Sequence, residues 1–393
     1  MSQQLINLSS DLKRLQDDGY DIEIRSNYLL VKNVPYVNSE RAVNFGTLVS
    51  SLCLAGNVTA KPDTHVALFS GEHPCNKDGS KMVKIAHQSV TKVLDRDFEV
   101  HHSFSSKPAN GYKDYYDKMT TYSAIISGPA QAIKPDVTAR TFPVIESAGA
   151  EAVFHYVDTA SSRADINVVS RKLESLKIGI VGLGGTGSYV LDLVAKTCVK
   201  EIRIFDGDKF LQHNAFRSPG APSLDDLRKV PLKVDHFKDI YSKMHRNIVS
   251  HGCFIDDTRL DLLQGLNFVF VCVDSGVTKR IIFDKLEELG IPFVDVGMGV
   301  QMADESLFGI LRVTSSTPQQ RDHVRTKKRV SFAEDVGHND YVRNIQIADL
   351  NALNASLAVI KWKKVFGYYQ DLDKEHHCTY TIDGNMLLNE DRP

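Results

Sequence analysis

Short apolar runs alternate with amphipathic stretches in the second part of the chain. The apolar runs predict buried strands over 178–181, 202–205, 268–273, 293–296 and 307–313. The amphipathic stretches predict helices over 188–196, 232–244, 278–289 and 345–365. This alternation is typical of an α/β fold with a mostly parallel, Rossmann-like sheet and crossover helices. The polar, basic segment 315–340 lacks periodicity, which predicts a loop that crosses the sheet.

The first 160 residues follow a different pattern. Leucines at positions 5, 8, 12 and 15 recur at helical spacing. Strands are predicted over 20–25, 28–32, 65–70, 98–104 and 122–127. We therefore predict an α+β domain over residues 1–160, followed by the α/β domain over 161–393. The aromatic stretch 103–122 leaves two interpretations open, a groove for an extended peptide or a packed aromatic helix with its loop.

Composition and charge exclude several classes of partner. Lysine and arginine number 47 against 49 aspartates and glutamates, so no global field recruits nucleic acid or a membrane surface. The six cysteines form no Cys-x-x-Cys pair, which argues against a disulfide framework and a paired-cysteine zinc site. No apolar run reaches the roughly 18 residues needed to span a bilayer. These features predict a soluble, cytoplasmic protein.

A glycine-rich turn follows the first strand of the α/β domain. Gly182, Gly184, Gly185 and Gly187 lie between this apolar strand and a helix. Such glycines let the backbone approach a phosphate, and the helix start supplies free amides and a partial positive charge. Asp206 closes the next strand, where a carboxylate can accept hydrogen bonds from a ribose. By themselves, these features also fit a nicotinamide-dependent dehydrogenase.

Polar residues beyond this acid favour a different chemistry. Asn214 and Arg217 form an Asn-x-x-Arg pair, Lys233 opens the next predicted helix, and Asp274 follows a strand in Cys-Val-Asp. Together with the GxGGxG turn and the acidic strand end, this ordered set resembles the ThiF/MoeB and ubiquitin-activating enzyme superfamily. The resemblance extends over residues 172–299.

The resemblance implies a nucleotide-binding role for each of these positions. The four glycines would line the nucleotide, Asp206 would hold the ribose, and Asp208 would belong to the same site. Asn214, Arg217 and Lys233 would face the triphosphate of ATP.

The implied reaction is adenylation of a carboxylate. Asp274 would bind Mg²⁺, which together with the fixed cations absorbs the negative charge that develops as pyrophosphate leaves. No general base is needed, because a terminal carboxylate is already ionised at neutral pH.

Partners are implied as well. The substrate would be the C-terminal glycine of a ubiquitin-like β-grasp protein, which is then passed to a ubiquitin-conjugating-like protein, a sulfur donor or another thiol. The family forms homodimers that lend an arginine across the interface. Arg163 is the candidate in this chain, with Arg171 as the alternative.

Several assignments keep an alternative. Asp274 could instead cap the following helix, because aspartate is a preferred cap. Lys229 lies close enough to Lys233 to take its role, and Asn214 with Arg217 could form a capped turn with a surface ion pair.

A thioester step would require a nucleophilic cysteine. The segment 315–340, where sulfur-transfer relatives place the acceptor, contains none. Cys378, beside two histidines, and Cys75, in a turn, are weak candidates, and Cys272 is expected to be buried in its strand. Relatives hold zinc with two Cys-x-x-Cys pairs, so no structural zinc is expected here.

Two other functions stay open beside an ATP-dependent adenylyltransferase. An NAD-dependent oxidoreductase would bind nicotinamide and release no pyrophosphate. A nucleotide-binding scaffold without turnover, as part of a conjugation complex, would show gaps among Asp206, Arg217, Lys233 and Asp274, and the sequence has none. Adenylation is therefore the primary hypothesis.

Overall fold

The computed structural model describes residues 2–147, 149, 151–333 and 345–392. Contacts divide the chain into two compact units, one formed by Met1–Ala148 with Asp158–Asp165 and the other by Gly149–Val157 with Ile166–Pro393. Within the described residues, no helix is both long enough and apolar enough to cross a membrane.

The first unit combines an antiparallel sheet with helices. Its helices are α1 (Ser2–Leu8), α2 (Ser10–Asp17), α3 (Tyr115–Ile133) and α4 (Thr159–Arg163). Its strands are β1 (Ile22–Arg25), β2 (Tyr28–Val37), β3 (Val43–Ser51), β4 (Leu54–Ala55), β5 (Val58–Thr59), β6 (Val66–Ser70), β7 (Ala86–Gln88), β8 (Lys92–Asp95), β9 (Phe98–Val100) and β10 (His102–Ser105). The main sheet has the order β1-β2-β3-β6-β10-β7, and its neighbouring strands are antiparallel.

The strand predicted over 122–127 is wrong, because these residues belong to α3. Tyr115, Met119, Tyr122 and Ile126 are fully buried. Their spacing of four, three and four residues places them on one face of a helix. The aromatic stretch is therefore a packed helix and its loop.

The second unit is an α/β fold. Its helices are α5 (Asn167–Ser170), α6 (Gly185–Val194), α7 (Gln212–Ala215), α8 (Leu224–Lys229), α9 (Lys233–Tyr241), α10 (Gly276–Glu288), α11 (His323–Thr326) and α12 (Ala348–Val365). Its strands are β11 (Lys177–Val181), β12 (Glu201–Phe205), β13 (Ile248–His251), β14 (Phe268–Val271), β15 (Phe293–Ala303), β16 (Ser306–Ser316), β17 (His377–Thr381) and β18 (Met386–Glu390). The sheet has the order β13-β12-β11-β14-β15-β16-β17-β18, parallel as far as β15 and antiparallel beyond it. The predicted α/β class with a mostly parallel sheet is confirmed.

The central strands are apolar throughout because both faces of the sheet are covered. Phe268 and Phe270 of β14 face a cluster that includes Trp362 of α12. Val269 and Val271 face a second cluster that includes Phe283 of α10. A parallel strand buried on both faces reads as a continuous apolar run, which explains why the pattern located these strands.

The predicted loop over 315–340 is only partly a loop. Strand β16 extends to Ser316, and α11 follows within the segment. Arg321 donates through Nη1 to the carbonyl oxygen of Glu287 at 2.8 Å, near the C-terminal end of α10, where a cation is favoured. Residues 334–340 lie outside the described part of the chain.

Candidate functional site

The carboxyl ends of four neighbouring strands, β12, β11, β14 and β15, border one cavity of about 520 Å³. Ligands of open α/β sheets bind at this edge, because the connecting loops and helix starts converge there. Every residue that lines the cavity belongs to the second unit.

The glycine turn lets β11 and α6 approach each other closely. Gly182 has a φ of 89°, and a Cβ there would lie 2.7 Å from the carbonyl oxygen of Cys272. A Cβ on Gly187 would lie 1.9 Å from the carbonyl oxygen of Gly182, so only glycine fits at this position. Gly182, Gly184 and Gly185 line the cavity, whereas Gly187 acts through the packing of the turn.

Asp206 joins the end of β12 to this turn. Its carboxylate is nearly fully buried and accepts hydrogen bonds from the N–H of Leu183 at 2.7 Å and from the N–H of Asp208 at 2.8 Å. Both acids line the cavity, and their role in nucleotide binding stays a prediction.

The structure places Lys233, and not Lys229, at the cavity. The Nζ of Lys233 lies 2.7 Å from Oδ2 of Asp208 and 3.7 Å from Oδ2 of Asp206, and its side chain is 8% exposed. The side chain of Lys229 is 70% exposed and pairs with Asp226 on the surface of α8. Of these two lysines, Lys233 is therefore the one that carries its positive charge at the cavity.

Arg217 and Asn214 lie in different positions relative to the cavity. Arg217 lines the cavity, and its Nε has no hydrogen-bond partner within the described residues. Burial lowers the pKa of Arg217, against the opposing effect of Asp274 and Asp208. Asn214 lies outside the cavity lining and accepts the N–H of Leu211 through Oδ1 at 2.8 Å, so it caps α7. This hydrogen bond fits the capped-turn alternative, and a role of Asn214 toward a triphosphate stays a prediction.

Asp274 also lines the cavity, one residue before the cap of α10. The cap is Ser275, whose hydroxyl accepts the N–H of Thr278 at 3.3 Å. Mg²⁺ is commonly held by one or two carboxylates together with phosphate oxygens and water, so Asp274 beside a triphosphate fits this ion. Within the described residues, no group of three or more His, Cys, Asp or Glu side chains could hold a metal by itself.

Sequence reasoning missed part of the cavity wall. Lys279 on α10, Asn351 and Asn354 on α12, and Phe254 also line it. Asn351 packs against Gly185, where a Cβ would lie 2.1 Å from its Nδ2. Nothing in the local sequence of α12 signals this contact, because the glycine turn precedes it by more than 160 residues.

The two arginines predicted to act across a dimer lie outside the cavity lining of their own chain. Arg163 belongs to the first unit, where Nε donates to the carbonyl oxygen of Asp17 at 3.1 Å and the guanidinium lies 5.9 Å from the ring of Phe142. Arg171 begins a short 3-10 helix of the second unit. A role across an interface stays a prediction.

Burial makes the candidate cysteines poor nucleophiles. Cys75 and Cys378 are buried. Burial raises the pKa of the Cys75 thiol, and it raises the pKa of Cys378 to about 11. Cys272 is partly buried behind the glycine turn, and burial raises its pKa too. Thiolates are the reactive form, so all three favour a structural role at neutral pH.

Comparison with known proteins supports the interpretation of the second unit. A protein-family model described as "ThiF family" matches residues 144–325. A second family model, described as "Domain of unknown function (DUF6791)", matches residues 10–159. "Adenylyltransferase and sulfurtransferase UBA4" of Saccharomyces cerevisiae (strain RM11-1a) is 30% identical over 135 residues, which are 33% of this chain and 30% of the yeast protein. The matched part is thus less than a third of the length of the yeast protein. The resemblance predicted from the motifs is confirmed.

Solved structures of low sequence identity are also similar. The crystal structure of PaaA is 20% identical with a TM-score of 0.45, and the match covers 57% of this chain and 75% of PaaA. E. coli MccB with ATP is 19% identical with a TM-score of 0.43, and the match covers 57% of this chain and 66% of MccB.

Proposed function

We propose that the ThiF-family domain at residues 144–325 takes part in ATP- and Mg²⁺-dependent adenylation of the C-terminal carboxylate of a small ubiquitin-like protein. The observation that carries this proposal is the convergence of Arg217, Lys233, Asp274 and the glycine turn on one cavity. Two cations, free backbone amides and a carboxylate together suit a triphosphate with its metal.

The proposed step forms one bond and breaks one. An oxygen of the substrate carboxylate attacks the α-phosphorus of ATP, and the bond between this phosphorus and the pyrophosphate oxygen breaks. The products are the acyl-adenylate and pyrophosphate, and no proton needs to move. Arg217 and Lys233 would stabilise the charge on the phosphates, while Asp274 would hold Mg²⁺, which withdraws charge from the leaving pyrophosphate.

The cavity favours this reaction over the two alternatives. A dinucleotide pyrophosphate is bound largely by the backbone amides of a glycine turn and helix start. Arg217 and Lys233, with Asp274 after β14, add charges that a triphosphate with Mg²⁺ would use. A scaffold without turnover has no need for this complete set. Both observations support an adenylyltransferase.

The transfer steps that follow adenylation would use thiol groups outside this chain. Buried Cys75 and Cys378 support transfer of the activated carboxylate to a ubiquitin-conjugating-like protein or a sulfur donor. Dimerisation would bring Arg163 of a second copy to the cavity, by the resemblance given above. Light scattering that gives a strict monomer with full activity would contradict this use of Arg163.

Pyrophosphate exchange tests the proposal directly. The parent protein is expected to exchange labelled pyrophosphate into ATP when supplied with small β-grasp proteins that end in glycine. Asp274→Ala should reduce exchange by about 100-fold or more, because the metal ligand is lost. Asp225→Ala is the matched control, because this acid is an exposed partner of Arg228 on α8. Unchanged exchange in Asp274→Ala would contradict the metal role, and nicotinamide-dependent hydride transfer by the parent would contradict the whole proposal.

A further inference from the structure

The order of the strands in the sheet fixes the order of the site residues along the cavity. The order β12-β11-β14-β15 places Asp206 first, the glycine turn second, Asp274 third and the end of β15 last. Neighbouring strands lie ~4.8 Å apart, so the β15 end of the cavity lies roughly 10 Å from the glycine strand. Because the proposed nucleotide occupies the first three positions, the β15 end is left for the acyl group that attacks it.

Asn354 of α12 presents an unpaired oxygen at this end. Its side chain is fully buried and lines the cavity. Nδ2 donates to the carbonyl oxygen of Gly297 at 3.1 Å, which orients the amide. Oδ1 is buried and, within the described residues, has no hydrogen-bond partner. Buried acceptors are almost always paired, so this oxygen is available to a group in the cavity that donates a hydrogen bond.

Gln346 is a second cavity-lining residue with a buried amide oxygen of this kind. Its Oε1 is also buried without a hydrogen-bond partner among the described residues, and the side chain lines the cavity. Two such amide oxygens in the lining of one cavity suit a peptide backbone, whose N–H groups are regularly spaced donors.

Lys279 supplies positive charge near Asn354, because the two side chains contact the neighbouring carbonyl oxygens of Val296 and Gly297. It lines the cavity, and its Nζ lies 2.9 Å from Oδ1 of Asp295. Asp295 is 0% exposed and also binds Arg312, whose Nη2 lies 2.5 Å from Oδ2. Because two cations share one carboxylate, the network keeps one positive charge. An incoming carboxylate that must approach the α-phosphate would be stabilised there.

We infer that Asn354 and Lys279 form an acyl subsite, in which Oδ1 of Asn354 accepts the peptide N–H of the last residue of the substrate and Lys279 neutralises its carboxylate. This inference rests on the proposed function. It adds a requirement on the last residue of the substrate, which must have a peptide N–H. A C-terminal proline or N-methylated residue would therefore be rejected.

The test uses stable mimics of the acyl-adenylate on the full chain. One probe carries Gly-Gly on the sulfamate of adenosine, its twin carries Gly-sarcosine, which lacks the N–H in question, and AMP serves as the reference. Calorimetry on the parent should show that the Gly-Gly probe binds about tenfold or more tighter than its N-methyl twin. Asn354→Leu should bind the two probes equally while its AMP affinity is kept, and Lys279→Met should weaken both probes without affecting AMP.

The outcomes separate this inference from the proposed function. If the parent binds both probes equally and more tightly than AMP, the subsite is wrong and adenylation stands. If the parent binds neither AMP nor either probe, the proposed function fails, and the subsite fails with it. The decisive comparison uses the unaltered protein, so it does not depend on the folding of Asn354→Leu.

Discussion

Lys233 and Lys229 carry the same side chain four residues apart, yet the fold gives them different environments. Lys233 begins α9 and is held between two carboxylates at the cavity. Lys229 ends α8 on the surface with an exposed partner. A buried cation that faces a cavity interacts with a ligand through a low local dielectric, whereas a solvated one is screened.

We therefore expect Lys233→Ala to lower pyrophosphate exchange by about 100-fold or more. The substitution removes the cation and leaves Asp206 and Asp208 side by side, which repels the phosphates as well. Lys229→Ala is the control and should keep the exchange rate of the parent, because it removes only an exposed ion pair. Similar losses in both variants would contradict the assignment of Lys233.

A second prediction at the scale of single residues concerns the reactivity of the cysteine thiols. The pKa of Cys378 is raised to about 11, so its thiolate is scarce at pH 8 and increases only as the pH approaches that value. With iodoacetamide at pH 8, mass spectrometry should find Cys53 and Cys253 modified before Cys378 and Cys75, because the first two are partly exposed. In denaturant all four should react. Preferential alkylation of native Cys378 at pH 7 would restore it as a thioester candidate.

The connection between β11 and α6 shows how an element depends on single atoms. At Gly187 an added Cβ would meet the carbonyl oxygen of Gly182. At Gly184 the same atom would meet no atom of the described residues within 4 Å beyond its chain neighbours, and φ is −69°. One glycine is therefore required for the close approach of helix and strand, and the other only keeps space free in the cavity.

This difference predicts two distinct phenotypes. Gly184→Ala should keep the melting temperature of the parent but weaken ATP binding, because the new methyl group takes space at the cavity wall. Gly187→Ala should lower both the melting temperature and the affinity for ATP, because the added Cβ forces the helix and the turn apart. Overpacking of this kind costs about 1–3 kcal/mol of stability. Thermal unfolding with and without ATP measures both effects. A loss of stability in Gly184→Ala as large as in Gly187→Ala would contradict the structure of this turn.

For the whole molecule, the cavity depends on one unit. Its lining residues and the two apolar clusters that cover the faces of its sheet lie within Gly149–Val157 and Ile166–Pro393. A unit with its own core can fold alone.

We therefore expect a fragment of residues 149–393 to fold and to bind ATP with the affinity of the full chain. ATP binds the folded state only, so a saturating concentration should raise the melting temperature of the fragment and of the full chain. The shift should disappear in both with Arg217→Ala, which serves as the control. A fragment that is unfolded, or folded without an ATP-dependent shift, would contradict the independence of this unit.

Local patterns were sufficient where an element is determined by its own residues. The central strands were located because both of their faces are buried, and the glycine turn because its backbone excludes side chains. The strand predicted over 122–127 failed because six residues are too few to separate alternation from a helical period. Tyr115 and Met119, which lie before that window, complete the buried face of α3.

The sequence by itself determined the order of the second unit's central strands and helices along the chain, the glycine turn and the charged residues after each strand. Tertiary structure alone decided which of these meet at the cavity. It placed Lys233 in the cavity lining, left Asn214 outside it as a cap, and brought Asn351 of α12 to the glycine turn and Asn354 to Gly297 of β15. The physical reason is the distance along the chain over which each effect acts. Backbone preference and period act over a few residues, whereas burial and charge pairing depend on contacts between segments far apart in the chain.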